Sequence, residues 1–467
     1  MLRKHCNRWL LIVVLALMLG ACIPYSFSPP KEVHIDPGDS VSQAQVAVDT
    51  EGVSHIVGVV DDRIVYYRTR YGEPIITATF TMSGSGTDWK QYSPGIAVTD
   101  SRTAYLVWIE QRGGPEKFAC WQKLTYFPPI GGWPSSCTRL DLYNQTTGNV
   151  WVTARGDKAY AVYDRMDLGT GRISELMYKE LTNPSITGHV NWYTEYFETG
   201  FIYSLDLGID SQGYLHVGFL DDYEDGNPFA TRLFLNSNAS VDADGNMSQQ
   251  WFITIGITLD ESIPVSLSFF NDTSDVEYVV LADGQGSTVD TIYLDYCVAV
   301  GCANQQYHRV DLPSSWDTYS AISDIEILGI DQTLHLSFIG LDSTTIKKQV
   351  YYMNDAFSSD PPIDISQTED TQKLTLEMTP VVGRDPDLPG IFPATAWMET
   401  DFASKNNYFV FDGLFKKIKV FDKYCDSVSS IGNISSNGIY LSGAWLDCEE
   451  TWFTTQAWTN QLPLIMK

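Results

Sequence analysis

Basic residues are scarce in this chain: 30 Lys and Arg stand against 58 Asp and Glu in 467 residues, a formal charge of -28. Such a surface repels nucleic acid and offers no basic patch for docking on anionic lipid. Long apolar runs are missing too, since Trp9–Leu19 counts only eleven residues, too short to span a bilayer. No Walker loop, G-x-S-x-G elbow, HExxH helix or dinucleotide fingerprint occurs, which sets those enzyme classes aside. No cofactor is expected. No CxxC or Cys/His pair has zinc spacing, so no metal site is expected either. Helical periodicity is absent from every long stretch. What recurs instead are short runs rich in Val, Ile, Tyr, Phe and Trp between clusters of Asp, Asn, Gly and Ser, the pattern of an all-β chain. At 44% hydrophobic residues the chain is rich enough to bury a substantial core.

The first thirty residues are of a different kind. Arg3, Lys4 and Arg8 precede the apolar run, and Gly20-Ala21 ends it, as in a secretory signal peptide. The sequence Leu19-Gly20-Ala21-Cys22 resembles the lipobox of bacterial lipoproteins. That resemblance implies cleavage before Cys22, acylation of its sulfur, and display outside the cytoplasm on the cell or outer membrane. An ordinary cleaved signal peptide is the alternative. Residues 1–21 are then the leader and 22–40 a lipidated cysteine with a Pro- and Ser-containing tether. Residues 41–467 form one domain, expected as a monomer anchored to membrane through its lipid. Several acyl chains hold a protein stably where one binds only marginally.

Of eight cysteines, Cys6 leaves with the leader and Cys22 takes lipid. The remaining six fall as neighbours: Cys120 with Cys137, Cys297 with Cys302, and Cys425 with Cys448. That spacing suits three local disulfides formed in an oxidising compartment, although six cysteines admit fifteen connectivities.

One phrase occurs eight times: a short apolar strand, an Asp/Asn/Gly turn, then a strongly apolar second strand, as in VAVDTEGVSHIVGVV and LGIDSQGYLHVGFL. A ring side chain follows the turn in each copy, at His55, Tyr105, Tyr160, His216, Tyr278, His335, Phe392 and Tyr440. Third-strand aromatics follow at Tyr66, Phe118, Tyr178, Phe234, Tyr293, Tyr351, Tyr408 and Trp452. A period averaging 55 residues suits a four-stranded propeller blade. The expected fold is an all-β propeller of eight four-stranded blades, with seven as the alternative. Only 27 residues follow Tyr440, so the last blade needs completion by Glu32–Ile35 or by Leu462–Met466. The phrase resembles that of sialidase-like propellers and their non-catalytic relatives. No intact Asp-box, arginine triad or Tyr/Glu pair can be assigned, so the resemblance implies architecture and not chemistry.

Three sets of residues are candidates for function. The histidines at ring positions share their slot with Tyr and Phe, which marks them as packed rings and not as a metal set. An acidic residue follows the ring position in every copy: Asp61, Glu110, Asp164, Asp221, Asp283, Asp342, Glu399 and Asp447. In blades these would share one rim and form a ligand face, whereas Asp also ends strands for local reasons. The connection around Trp192, Tyr193 and Tyr196 carries rings suited to stacking on sugars or apolar groups, or to packing between blades. The hairpin at Asp242–Asn246 begins like a calcium loop but lacks its later ligands, so a turn is expected. The leading expectation is a non-catalytic module binding glycan, peptide or a cell-envelope component. A glycan-active enzyme using paired carboxylates and a structural scaffold are the alternatives.

The anchor is tested directly: Cys22→Ser should move the protein from the membrane pellet to the soluble fraction. Persistent sedimentation of the variant with membranes would refute lipidation as the anchor.

Overall fold

The computed structural model describes residues 31–32, 41–70, 76–79, 89–125, 136–141, 147–166, 173–192, 202–222, 231–255, 265–269, 277–283, 291–297, 305–309, 320–330, 333–342, 347–353, 360, 362–366, 376–381, 394–400, 405–411, 417–424, 430–436, 440–447 and 450–457. The architecture is all-β and propeller-like. The described strands form eight four-stranded antiparallel sheets, seven of them in simple sequence order. The eighth takes the strands Ser430–Ser436, Tyr440–Asp447 and Glu450–Ala457 and receives its fourth from the other end of the chain. There Lys31 pairs with Phe453 and Glu32 with Trp452. Val33–Ile35 and Leu462–Met466 lie outside the described residues.

The first strand of each sheet packs beside the first strand of the next. Val41–Val48 meets Trp89–Val98, which meets Val150–Arg155, then Ile202–Ile209, Val265–Phe269, Ser320–Ile330, Leu376–Val381 and Ser430–Ser436. The strand Ser430–Ser436 in turn packs beside Val41–Val48. All eight predicted third-strand aromatics lie in third strands, and seven of the eight ring positions lie in second strands. Phe392 lies outside the described residues.

Why the second strands read as nearly continuous apolar runs follows from the two-residue period of a strand. In the strand Ala104–Arg112, Ala104, Leu106 and Trp108 pack on Val57, Val59 and Tyr66 of the preceding sheet. The intervening Tyr105, Val107 and Ile109 pack on Ala159, Ala161 and Tyr163 of the following one. The strand Lys158–Met166 repeats the pattern, sending Tyr160 and Val162 forward onto Val217 and Phe219. Both faces of each of these strands are buried, so no polar alternation survives. Each fully buried large side chain contributes roughly 1.5–3 kcal/mol.

The turns from first to second strand in the first, second and fourth sheets follow one plan. Asp49 accepts from the backbone N–H of Glu51 (2.9 Å) and Val53 (2.8 Å), and Asp210 accepts likewise from Gln212 (2.9 Å) and Tyr214 (2.8 Å). The fourth residue of each turn needs a left-handed backbone, which glycine supplies at Gly52 (φ 78°) and Gly213 (φ 86°). Arg102 takes the same place in the second sheet at φ 59°, after Thr99. Asp242–Asn246 repeats the plan in a third-to-fourth turn, with Gly245 at φ 85° and Asp242 accepting from Asp244 and Asn246. It is a hairpin turn, as its sequence indicates.

These turns touch from sheet to sheet. Thr50 Oγ1 donates to the Asp100 carbonyl (3.5 Å), Asp100 N–H to the Gly156 carbonyl (2.8 Å) and Tyr160 OH to the Gly213 carbonyl (2.9 Å). One end of the molecule therefore carries the first-to-second and third-to-fourth turns, called here the hairpin face. The other end carries the second-to-third connections and the passages between sheets, called here the crown face. On the hairpin face Tyr178 OH donates to the Gly245 carbonyl (2.8 Å), and a Cβ added at Gly188 would stand 2.0 Å from that same oxygen. Gly188→Ala should therefore lower the unfolding free energy by about 1–3 kcal/mol or more, read as a drop in denaturant midpoint. An unchanged midpoint would contradict this close approach of the third and fourth sheets.

Candidate ligand-binding face

Each predicted acid lies within two residues of the end of the second strand of its sheet, so the topology brings all eight positions to the crown side. Their side chains differ in circumstance. Asp61 is exposed in a two-residue turn with Asp62, where Val60 pairs with Arg63 and both turn residues have positive φ (47° and 61°). That is the backbone of a tight hairpin turn, which Asp tolerates better than most residues. Asp221, Asp283, Asp342, Glu399 and Asp447 are placed by backbone alone.

Glu110 and Asp164 correct the expectation of an open ring of carboxylates, because both are fully buried. Glu110 accepts from Arg112 Nε (2.6 Å) and from Gln91 Nε2 (3.3 Å). Gln91 in turn accepts from Ile64 N–H (2.8 Å) and donates its own N–H to the Asp62 carbonyl (2.8 Å), tying the second sheet to the first. Asp164 accepts from the N–H of Gly148 (2.5 Å) and Asn149 (3.0 Å) and from the Asn149 side chain (2.9 Å). Burial pushes its carboxyl up from the ordinary value, opposed by those same donors. A buried carboxylate without donors is prohibitively costly, so these two acids hold structure together and are closed to a ligand.

Around Glu110 the crown side carries rings and guanidinium groups that sequence reading passed over. Arg112 lies over Trp89 (4.8 Å) and Phe118 (5.5 Å), and Arg139 lies over Phe118 at 3.7 Å. Trp89, Arg112 and Arg139 are partly exposed. Each such cation–ring contact is worth about 0.5–1 kcal/mol or more when desolvated. The signal was present as Glu110-Gln111-Arg112, since residues two apart on a strand share a face. One sheet further, Arg165 is held by Asp141 (2.5 Å) and by Glu175, which outweigh burial and raise its already high pKa.

Cys120 in the third strand of the second sheet is disulfide-bonded to Cys137 beside the fourth, with Cα atoms 5.3 Å apart. Their sulfurs approach Glu110, but bonded to each other they are not thiolate ligands. Cys297 ends a third strand. Cys22, Cys302, Cys425 and Cys448 lie outside the described residues. Trp192 ends the strand Thr187–Trp192 opposite Glu175, while Tyr193 and Tyr196 lie outside the described residues.

The three ring-position histidines are buried on the hairpin side. His55 Nδ1 meets Tyr66 OH (2.7 Å) and its Nε2 faces Asp49 (3.4 Å); His335 Nδ1 meets Tyr352 OH (2.9 Å). His216 Nε2 faces both Asp210 (3.1 Å) and Ser237 (3.4 Å). A nucleophile relay uses the two ring nitrogens in opposite directions, so this Ser/His/Asp set is not a catalytic triad. Burial raises the Asp210 carboxyl, but hydrogen bonds from His216 and from the Tyr214 and Gln212 amides outweigh it and hold it below the ordinary value.

No protein-family profile and no curated protein matches this chain. Solved structures resemble it in shape. Prolyl oligopeptidase B from Galerina marginata is 8% identical with a TM-score of 0.48, over 87% of this chain. This chain spans 55% of that enzyme's length. Polysaccharide lyase Uly1 is 9% identical with a TM-score of 0.40, over 94% of this chain and 95% of the lyase. The endosialidase of phage phi92 is 11% identical with a TM-score of 0.38, over 84% of this chain and 72% of its own.

Burial lowers the His55 pKa below its ordinary 6.5, chiefly by desolvation and against the pull of Asp49. The unfolded chain then takes up a proton below about pH 6.5 that the native state refuses. The stability contributed by neutral His55 is full above that pH and is lost as pH falls through it. His55→Phe, which places there the ring type of Phe392, should cost about 1–2 kcal/mol at pH 8 through lost hydrogen bonds. It should also flatten the decline of melting temperature between pH 7 and 5; an unaltered decline would sink this assignment.

Proposed function

We propose that this protein is an extracytoplasmic, lipid-anchored propeller of eight blades that binds a ligand on its crown face without transforming it. Support for eight blades in a closed circle comes from the packing of first strands in sequence, with the eighth beside the first. The pairing of Lys31–Glu32 with the last sheet supports closure by the N-terminal segment, an arrangement that hides a sheet edge. The leader, the Leu19–Cys22 motif and the bonded Cys120–Cys137 pair speak for export.

The observation that carries the binding role is the group Trp89, Arg112, Phe118 and Arg139 on the crown side. Its partly exposed ring and guanidinium planes stack on sugar rings and on peptide side chains, and its buried Glu110 and Gln91 fix their positions before any ligand arrives. A glycan is the favoured ligand. Acidic side chains on the same rim, of which Asp61 is exposed, select against anionic chains.

The test is a glycan and peptide array probed with the Cys22→Ser form. Binding of a neutral glycan, weakened at least tenfold by Trp89→Ala with an unchanged melting temperature, is the expected outcome. Ligand binding indifferent to Trp89, or release of a shortened glycan product, would overturn the reading in favour of another surface or of catalysis.

A further inference from the structure

The direction of one short strand says which end of the molecule looks at the membrane. In the eighth sheet Glu450–Ala457 is a third strand, so it runs from the crown face to the hairpin face. Lys31 pairs with Phe453 and Glu32 with Trp452, so the N-terminal strand runs the opposite way, towards the crown face. Lys31 is therefore the hairpin-side end of that strand. Nine residues separate Lys31 from Cys22 counting Cys22 itself, a reach of at most about 30 Å. A lipid on Cys22 thus holds the body close to the bilayer.

A second observation is independent of the tether. Among the described residues the large hydrophobic side chains that stand exposed are Ile186 (38%), Tyr214 (36%), Val241 (46%) and Ile363 (55%). Ile186 lies in a third-to-fourth turn and Tyr214 in a first-to-second turn; Val241 ends a third strand and Ile363 begins a fourth. All four positions belong to the hairpin end, and they come from the third, fourth and sixth sheets. Exposed apolar side chains scattered over a surface need no explanation, but their confinement to the side on which Lys31 stands does.

We propose that the hairpin face rests on the lipid surface that holds the acyl chains of Cys22, touching it through Ile186, Tyr214, Val241 and Ile363, and turns the crown face outward. The proposal builds on the lipid-anchor reading. Asp157, Asp242 and Asp244 share the hairpin face and are exposed, so the contact is with neutral or zwitterionic lipid, and anionic lipid loosens it.

The test uses the full acylated chain in phosphatidylcholine vesicles, with a clickable non-natural side chain in place of Ala243 on the hairpin face or, separately, Glu116 on the crown face. Both positions are exposed. A fluorophore at each reports energy transfer to a headgroup-labelled lipid. An eight-residue strand spans about 27 Å, so transfer from position 243 should exceed that from 116 several-fold. Replacing Ile186, Tyr214 and Val241 together by Ser should reduce transfer from 243 at least twofold while flotation with vesicles persists. Equal or reversed transfer, or a triple variant with undiminished transfer, overturns the proposal and leaves the anchor intact. Failure of the unsubstituted chain to float overturns the anchor reading itself.

Discussion

The fold depends on second strands that are buried on both of their faces, as Ala104–Arg112 and Lys158–Met166 are. In a two-layer protein a strand has one inner and one outer side, and half of its residues are free to be polar. Here alternate residues of Ala104–Arg112 belong to two different cores. Neither core closes unless both neighbouring sheets are in place. Stability is therefore a property of adjacent pairs, much as in repeat proteins. The carboxylates buried at the strand ends arrive with partners: Glu110 with Arg112 and Gln91, Asp164 with Gly148 and Asn149.

The same constraint decides what the sequence reveals. Burial on both faces forces apolar continuity in second strands, and the left-handed turn favours glycine, as at Gly52 and Gly213. Both are local in sequence, so the all-β class, the period and the third-strand aromatics were legible. The candidate face was legible only by position. Whether a carboxylate at a strand end faces solvent depends on donors contributed from elsewhere, as Gln91 is to Glu110 across 19 residues. Asp61, in a turn that requires its backbone conformation, is exposed, whereas Glu110 and Asp164, each two residues inside the strand end, are buried. The group formed by Trp89, Phe118, Arg112 and Arg139 comes from four strands of one sheet, and beyond the pair Glu110 and Arg112 no short-range pattern announces it.

Hairpin and crown ends are specialised in different ways. The hairpin end is stitched by main-chain and tyrosine hydrogen bonds from one sheet to the next, while its histidines brace turns and strands within single sheets. Burial pushes the hydroxyls of Tyr160 and Tyr178 up to about 12, so they remain donors to the Gly213 and Gly245 carbonyls at any physiological pH. Near the crown end Glu110, Asp141 and Glu175 are braced by guanidinium groups instead, and Asp164 by the Gly148 and Asn149 amides.

The pairing of Lys31 with Phe453 joins positions 422 residues apart. A chain synthesised amino end first must keep Lys31–Glu32 waiting until Glu450–Ala457 has been made. During this interval the edge of Glu450–Ala457 and its future mate exist on opposite ends of a growing thread. Such long-separation contacts form slowly, so maturation of this protein is paced by the meeting of its two extremities, after every other sheet has had time to assemble.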